Sequence, residues 1–124
     1  MANTFKVVTF AAEPNSAGTP YIVYTAGTGV TTVVLGLILT NIHTAQVTAE
    51  VELVSDTTAR GGALSSGTNT VTNGTAFLAK DIPIPVGSSV ELLSGNKVVL
   101  ETTDILKVSA SGATDVALSI MEIT

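Results

Sequence analysis

Apolar and polar positions alternate with a period of two along much of this chain. The clearest case is residues 46–54, where Val47, Ala49, Val51 and Leu53 share one face and Gln46, Thr48, Glu50 and Glu52 the other. That period predicts a half-buried strand with one wet face. Val33-Val34-Leu35-Gly36-Leu37-Ile38-Leu39 breaks the pattern, with no polar side chain in seven residues. A membrane helix needs ~20 such residues. A short branched run of this kind predicts a strand buried on both faces. Gly36 within it signals a bulge or a close backbone approach.

Further strands are predicted at 4–10, 21–25, 75–84, 105–110 and 116–123, and the apolar run extends to 31–42. Gly, Pro, Asn and Asp punctuate the gaps. Pro83 and Pro85 close the strand at 75–84, so that end lies at a sheet edge or leaves the sheet. Residues 89–93 and 97–101 are predicted to form a hairpin around Ser94-Gly95-Asn96. This loop pairs Leu92 with Val98 and Val90 with Leu100, which keeps all four on one face. Residues 55–75 carry few large apolar side chains and read as a flexible or contact loop, with Asn73-Gly74 able to turn a short hairpin.

About eight or nine short strands and no helical period predict one all-β domain over residues 1–124. Its fold class is an antiparallel β-sandwich, jelly-roll-like or immunoglobulin-like. Composition supports this, since Val, Ile and Thr make up 44 of 124 residues and these β-branched types favour strands. Charged residues are only 12% of the chain, about half the usual share. A surface built from Thr, Ser and Asn suits a protein packed against its own copies. The net charge is −5, with four Lys and one Arg, so nucleic-acid binding has no electrostatic footprint. The chain has no Cys, which removes disulfides, thiol catalysis and cysteine metal sites. Residues 1–10 are too mixed to read as a signal peptide, and no membrane partner is expected.

Candidate chemistry is sparse. His43 is the sole histidine and reads as a partly exposed strand-end residue. Glu50 and Glu52 point off one strand face and read as solvated. Asp104 sits in a turn, where its carboxylate accepts backbone hydrogen bonds. Gly27-Thr28-Gly29 precedes a strand, not a helix, and lacks the third glycine of a dinucleotide loop. Arg60-Gly61-Gly62 lacks the Gly-Lys-Ser/Thr ending of a phosphate loop. Asn73-Gly74-Thr75 matches a glycosylation acceptor, a short and common motif. Tyr21 and Tyr24 are three apart, so in a regular strand they face opposite sides and make no sugar-stacking platform. No catalytic residue, cofactor or metal is expected.

The C-terminal third carries a more specific signal. Ile82-Pro83-Ile84-Pro85-Val86-Gly87 is followed by residues 90–101, then Asp104-Ile105-Leu106-Lys107-Val108-Ser109-Ala110-Ser111, and the chain ends Ala117-Leu118-Ser119-Ile120-Met121-Glu122-Ile123-Thr124. This resembles small β-rich virion proteins of tailed bacteriophages. Thr103 stands where such chains often carry Gly before the turn Asp. The resemblance implies a non-enzymatic virion structural protein. A capsid decoration or cement subunit is expected first, as a homotrimer on the major capsid protein. A neck or tail ring or fibre protein is the alternative, and a glycan-binding sandwich facing the host a further one. Subunit contacts are expected through apolar edge strands and the 55–75 loop, at Arg60, Gly61, Gly62, Leu64 and Val99.

The face assignment generates a test. Val98→Asp should bury a charge and unfold the domain, a loss of several kcal/mol in chemical denaturation. Val99→Asp should leave the fold intact, and loss of oligomers in that variant by light scattering would mark its face as an interface.

Overall fold

The computed structural model describes residues 2–14, 16–55, 64–66, 69–71, 74–93, 95 and 97–124. Among them are eleven strands in three antiparallel sheets. The larger sheet runs β1 (Asn3–Glu13), β11 (Thr114–Ile123), β3 (Thr31–Asn41), with β8 (Ser89–Leu92) and β9 (Val98–Leu100) both on the far side of β3. The second runs β2 (Tyr21–Thr25), β10 (Ile105–Ala110), β4 (Val47–Ser55), β7 (Gly74–Ile84). A small ribbon pairs β5 (Leu64–Ser66) with β6 (Asn69–Val71).

The pairing is nested. β1 pairs with β11, β2 with β10, β3 with β8 and β9, and β4 with β7. A long antiparallel ribbon rolled up in this way is a jelly roll, with eight strand positions once β8 and β9 are taken as one interrupted strand. Of the two sandwich topologies open from sequence, the strand order selects this one.

The core lies between the sheets. Val34, Leu37, Leu39, Leu100, Leu118 and Ile120 project from one side, and Val47, Ala49, Val51, Ile84, Leu106 and Val108 from the other, all essentially inaccessible. The period-two pattern of β4 holds, with Val47, Ala49 and Val51 inward. In β3 the parity changes midway. Val34 pairs with Ile120 and Gly36 with Ser119, so Leu35 is an extra residue on the β3 side. This bulge lets even-numbered Val34 and odd-numbered Leu37 both face the core. Gly36 thus marks a bulge and no close approach, since a Cβ there would meet only open space.

Three expectations are corrected. The apolar run of β3 is covered on one face only, and Ile38 on its outer side is 39% exposed. The predicted hairpin is absent, because β8 and β9 each pair with β3 and lie end to end along it. Val90, Leu92, Val98 and Leu100 still share the inward face. An interrupted straight strand and a three-residue hairpin preserve the same side-chain parity, so burial alone does not separate them. Tyr21 and Tyr24 do not face opposite sides. Leu106 pairs with Tyr24 and Lys107 with Ile22. The bulge at Val23 therefore turns both rings toward the other sheet.

Strand β7 is an edge strand, as its prolines require. Within the 55–75 segment β5 and β6 pair antiparallel, with Ser66 opposite Asn69. Residues 56–63, 67–68 and 72–73 of that segment, Asn73 of the expected turn among them, lie outside the described residues. Asp104 is buried, and its Oδ2 accepts the Glu101 N–H at 2.9 Å. Thr103 has φ +68°, a left-handed backbone that suits glycine and strains a β-branched side chain. Thr103→Gly should therefore raise stability by about 1 kcal/mol, net of the entropy glycine loses on folding. A higher denaturation midpoint with unchanged slope would verify it.

Candidate functional site: the outward face of the larger sheet

The ladder registers place four apolar side chains in one row across the solvent side of the larger sheet. Phe5 pairs with Met121, Met121 with Val33, and Val33 with Val99. The next row is Val7, Ser119 and Gly36, and the next Thr9, Ala117, Ile38 and Glu91. Phe5 is 71% exposed, Val7 66% and Val99 53%. An antiparallel sheet with one wet face normally carries polar residues there. The second sheet obeys that rule better. Its outward row is Ile22, Lys107, Glu52 and Phe77. Beside it Lys80 Nζ lies 3.3 Å from Glu50 Oε1 and 4.5 Å from the Phe77 ring centre.

Two shallow depressions also open on the apolar face, and both use Ile38 and Ala117. One of about 250 Å³ is bounded by Thr9, Phe10, Thr40 and Asp115, and one of about 280 Å³ by Leu35, Gly36, Glu91 and Ser119. They are smaller than most small-molecule sites, at about 300–1,000 Å³. Asp115 Oδ1 already accepts the Ala12 N–H at 2.8 Å.

Of the expected contact residues, Val99 is on this face. Arg60, Gly61 and Gly62 lie outside the described residues. Leu64 is in β5 opposite Val71, in the separate small ribbon. Phe5, Val7 and Met121 went unnoticed from sequence. The signal was present at the start of the chain, where Phe5 and Val7 alternate with Lys6 and Val8 and neither face of the strand is wholly polar.

The other candidates are separated. His43 is exposed at the end of β3, its N–H donating to Asn41 Oδ1 at 2.7 Å. Glu50 and Glu52 are on the outward face of the second sheet, and Asp104 is in its own turn. Among the described residues no three His, Cys, Asp or Glu side chains are grouped to hold a metal. Neither tyrosine forms an exposed platform. Tyr21 packs on Phe10 with ring centres 5.6 Å apart, and its hydroxyl is buried without a hydrogen-bond partner. Burial, with Glu13 and Asp115 nearby, holds that hydroxyl well above the ordinary tyrosine range.

One polar cluster spans the two sheets. Tyr24 O–H donates to Glu122 Oε2 and lies 2.9 Å from Thr32 Oγ1. Lys6 Nζ sits 2.7 Å from Glu122 Oε1. The Lys6 contact first, and the Tyr24 hydrogen bond second, hold the Glu122 carboxyl below its usual range. Burial and the same hydrogen bond raise Tyr24. This cluster ties β1, β11 and β3 to β2.

No family model matches the chain, and no curated protein matches it. Solved structures do. The chain is similar to one from the disulfide-linked pili of Bacillus endospore appendages, at 14% identity and TM-score 0.42, over 99% of this chain and 87% of that one. It is similar to VP2 of the infectious bursal disease virus subviral particle at 10% identity and TM-score 0.43, over 97% of this chain and 36% of that one. For a chain of the T13 particle of the same virus the values are 12%, 0.44, 97% and 35%. This chain thus spans about a third of either viral chain. These likenesses concern the β-sandwich fold alone.

Because the folded pKa of Glu122 is lowered, the unfolded state binds more protons at acid pH. The contribution is complete above the ordinary Glu value of about 4.3 and is lost as pH falls through the lower folded value. Chemical denaturation across that range should show stability falling with pH, and Glu122→Gln should flatten the fall.

Proposed function

We propose that this chain is a non-enzymatic structural subunit of a tailed-bacteriophage virion, working as a homo-oligomer that decorates the capsid. The observation that carries the proposal is the row Phe5, Met121, Val33 and Val99 on an outward sheet face. Exposed apolar rows of this kind belong to surfaces covered in an assembly. The resemblance of residues 82–124 to tailed-phage virion proteins supports the virion assignment. The jelly-roll topology suits it, since capsid domains use that architecture. His43, Glu50, Glu52 and Asp104 are dispersed and build no common site, which supports the non-enzymatic reading. A trimer seated over a capsid symmetry axis is one arrangement that fits a closed homo-oligomer.

Mass spectrometry of purified, nuclease-treated particles tests the reading. The chain is expected at a copy number in fixed proportion to the major capsid protein. Its absence from intact particles would sink the proposal. Presence at a few copies per particle would move it from the capsid to the neck or tail.

A further inference from the structure

A sandwich has four sheet edges, and three of them here are guarded. The edge formed by β8 and β9 is broken between Leu92 and Val98. Strand β7 has two bulges, one at Asp81 with φ +50°, and Pro83 within its pairing. Strand β2 has five residues, follows Pro20 and is bulged at Val23. Interruption, bulges and prolines are the usual means of blocking further strand addition.

Strand β1 has none of these between Asn3 and Phe10. Its register with β11 is unbroken over that stretch. Ala2 and Thr124 exchange both backbone hydrogen bonds, at 3.2 and 3.0 Å. Alternation along an antiparallel ladder then makes Thr4, Lys6, Val8 and Phe10 the bonded positions. The N–H and C=O groups of Asn3, Phe5, Val7 and Thr9 therefore point away from β11, along the open edge. The one charge on this stretch, Lys6, is drawn back to Glu122 at 2.7 Å. The two most exposed large apolar side chains of the described residues, Phe5 and Val7, stand on this same edge.

We propose that β1 pairs antiparallel with β1 of a second copy of this chain, making one continuous sheet across a twofold axis. This names a contact for the self-assembly reading above and rests on it. The second copy is the fitting occupant because, among the described residues, the other three sandwich edges offer no comparable strand and β5 and β6 have three residues each, which leaves β1 to answer β1. The odd-numbered backbone groups are self-complementary under a twofold. A register centred on Phe5 also runs the apolar row of one subunit into that of the other. Registers centred on Phe5 or Val7 keep Lys6 from facing its own copy, which like-charge repulsion disfavours.

The test uses the full chain, with native mass measured across a concentration series. A dimer, or a larger even-numbered oligomer such as two of the trimers named above joined through β1, is expected. Val7→Pro removes an outward N–H and no β11 bond, and Val7→Lys puts a charge at the seam. Both should stay folded by circular dichroism while weakening association at least about tenfold. The chain has no native cysteine, so Phe5→Cys and Val7→Cys report the register, and one of them should form a disulfide dimer under oxidised glutathione. Association unchanged in both folded Val7 variants, or no crosslink at either position, would overturn the β1 contact. So would a wild-type monomer. A monomer that is still found in particles overturns this contact and leaves the structural-subunit reading standing, whereas absence from particles removes that reading independently.

Discussion

A strand has two faces, and a two-layer sandwich covers only one of them. That constraint governs this molecule because β3 is apolar on both. Its inward side chains, Val34, Leu37 and Leu39, are sealed between the sheets. Its outward ones, Val33, Leu35 and Ile38, are half-buried or exposed. The neighbours repeat the arrangement, with Met121 and Ala117 on β11 and Phe5 and Val7 on β1. The apolar surface left over is too ordered across the ladders to be scattered exposure, which alone needs no explanation.

The ends of the sandwich are closed by polar side chains. Asn41 is 1% exposed at the end of β3. Its Nδ2 donates to Ile84 O at 2.8 Å, in the opposite sheet, and to Ala45 O at 2.9 Å, while Oδ1 accepts from His43. One amide thus holds the β3–β4 connection and pins the sheets together. The Lys6, Glu122, Tyr24 and Thr32 cluster makes a second tie, between β1, β11, β2 and β3. A buried amide or carboxylate left unpaired is costly, so such groups fix which surfaces meet. The apolar core alone tolerates more arrangements.

Much of the fold was legible in the sequence because its signals are local. Alternation in β4, the breakers around β2 and the prolines of β7 each depend on a few neighbouring residues. The misreadings share a different cause. At Val23 one extra residue shifts the parity of everything after it, and a bulge is set by pairing across the ladder, which Gly36 marked in β3 and nothing marked in β2. The β8–β9 segment was misread because a hairpin and an interrupted strand bury the same four residues. The buried role of Asn41 had no local mark, since an Asn after an apolar run reads equally well as a turn. The contact face was half legible. Val99 followed from hairpin parity, whereas the row linking it to Phe5 exists only through the pairings of β1, β11, β3 and β9.

Charge divides the two outward faces as sharply as apolar surface does. Glu50, Glu52, Lys80 and Lys107 lie on the second sheet, whereas the three rows of the larger sheet include only Glu91, with Asp115 beyond them at the end of the face. Stacking the apolar face on the charged face of another copy would desolvate those groups, and pairs buried in this way seldom recover that penalty. Apolar face and open β1 edge meet at Phe5 and Val7, which carry their side chains on the one and their free backbone groups along the other. A neighbour that covered the face without reaching the edge would leave those N–H and C=O groups to water. A neighbouring strand satisfies both at once, which makes the β1 side of the larger sheet the proposed direction of extension.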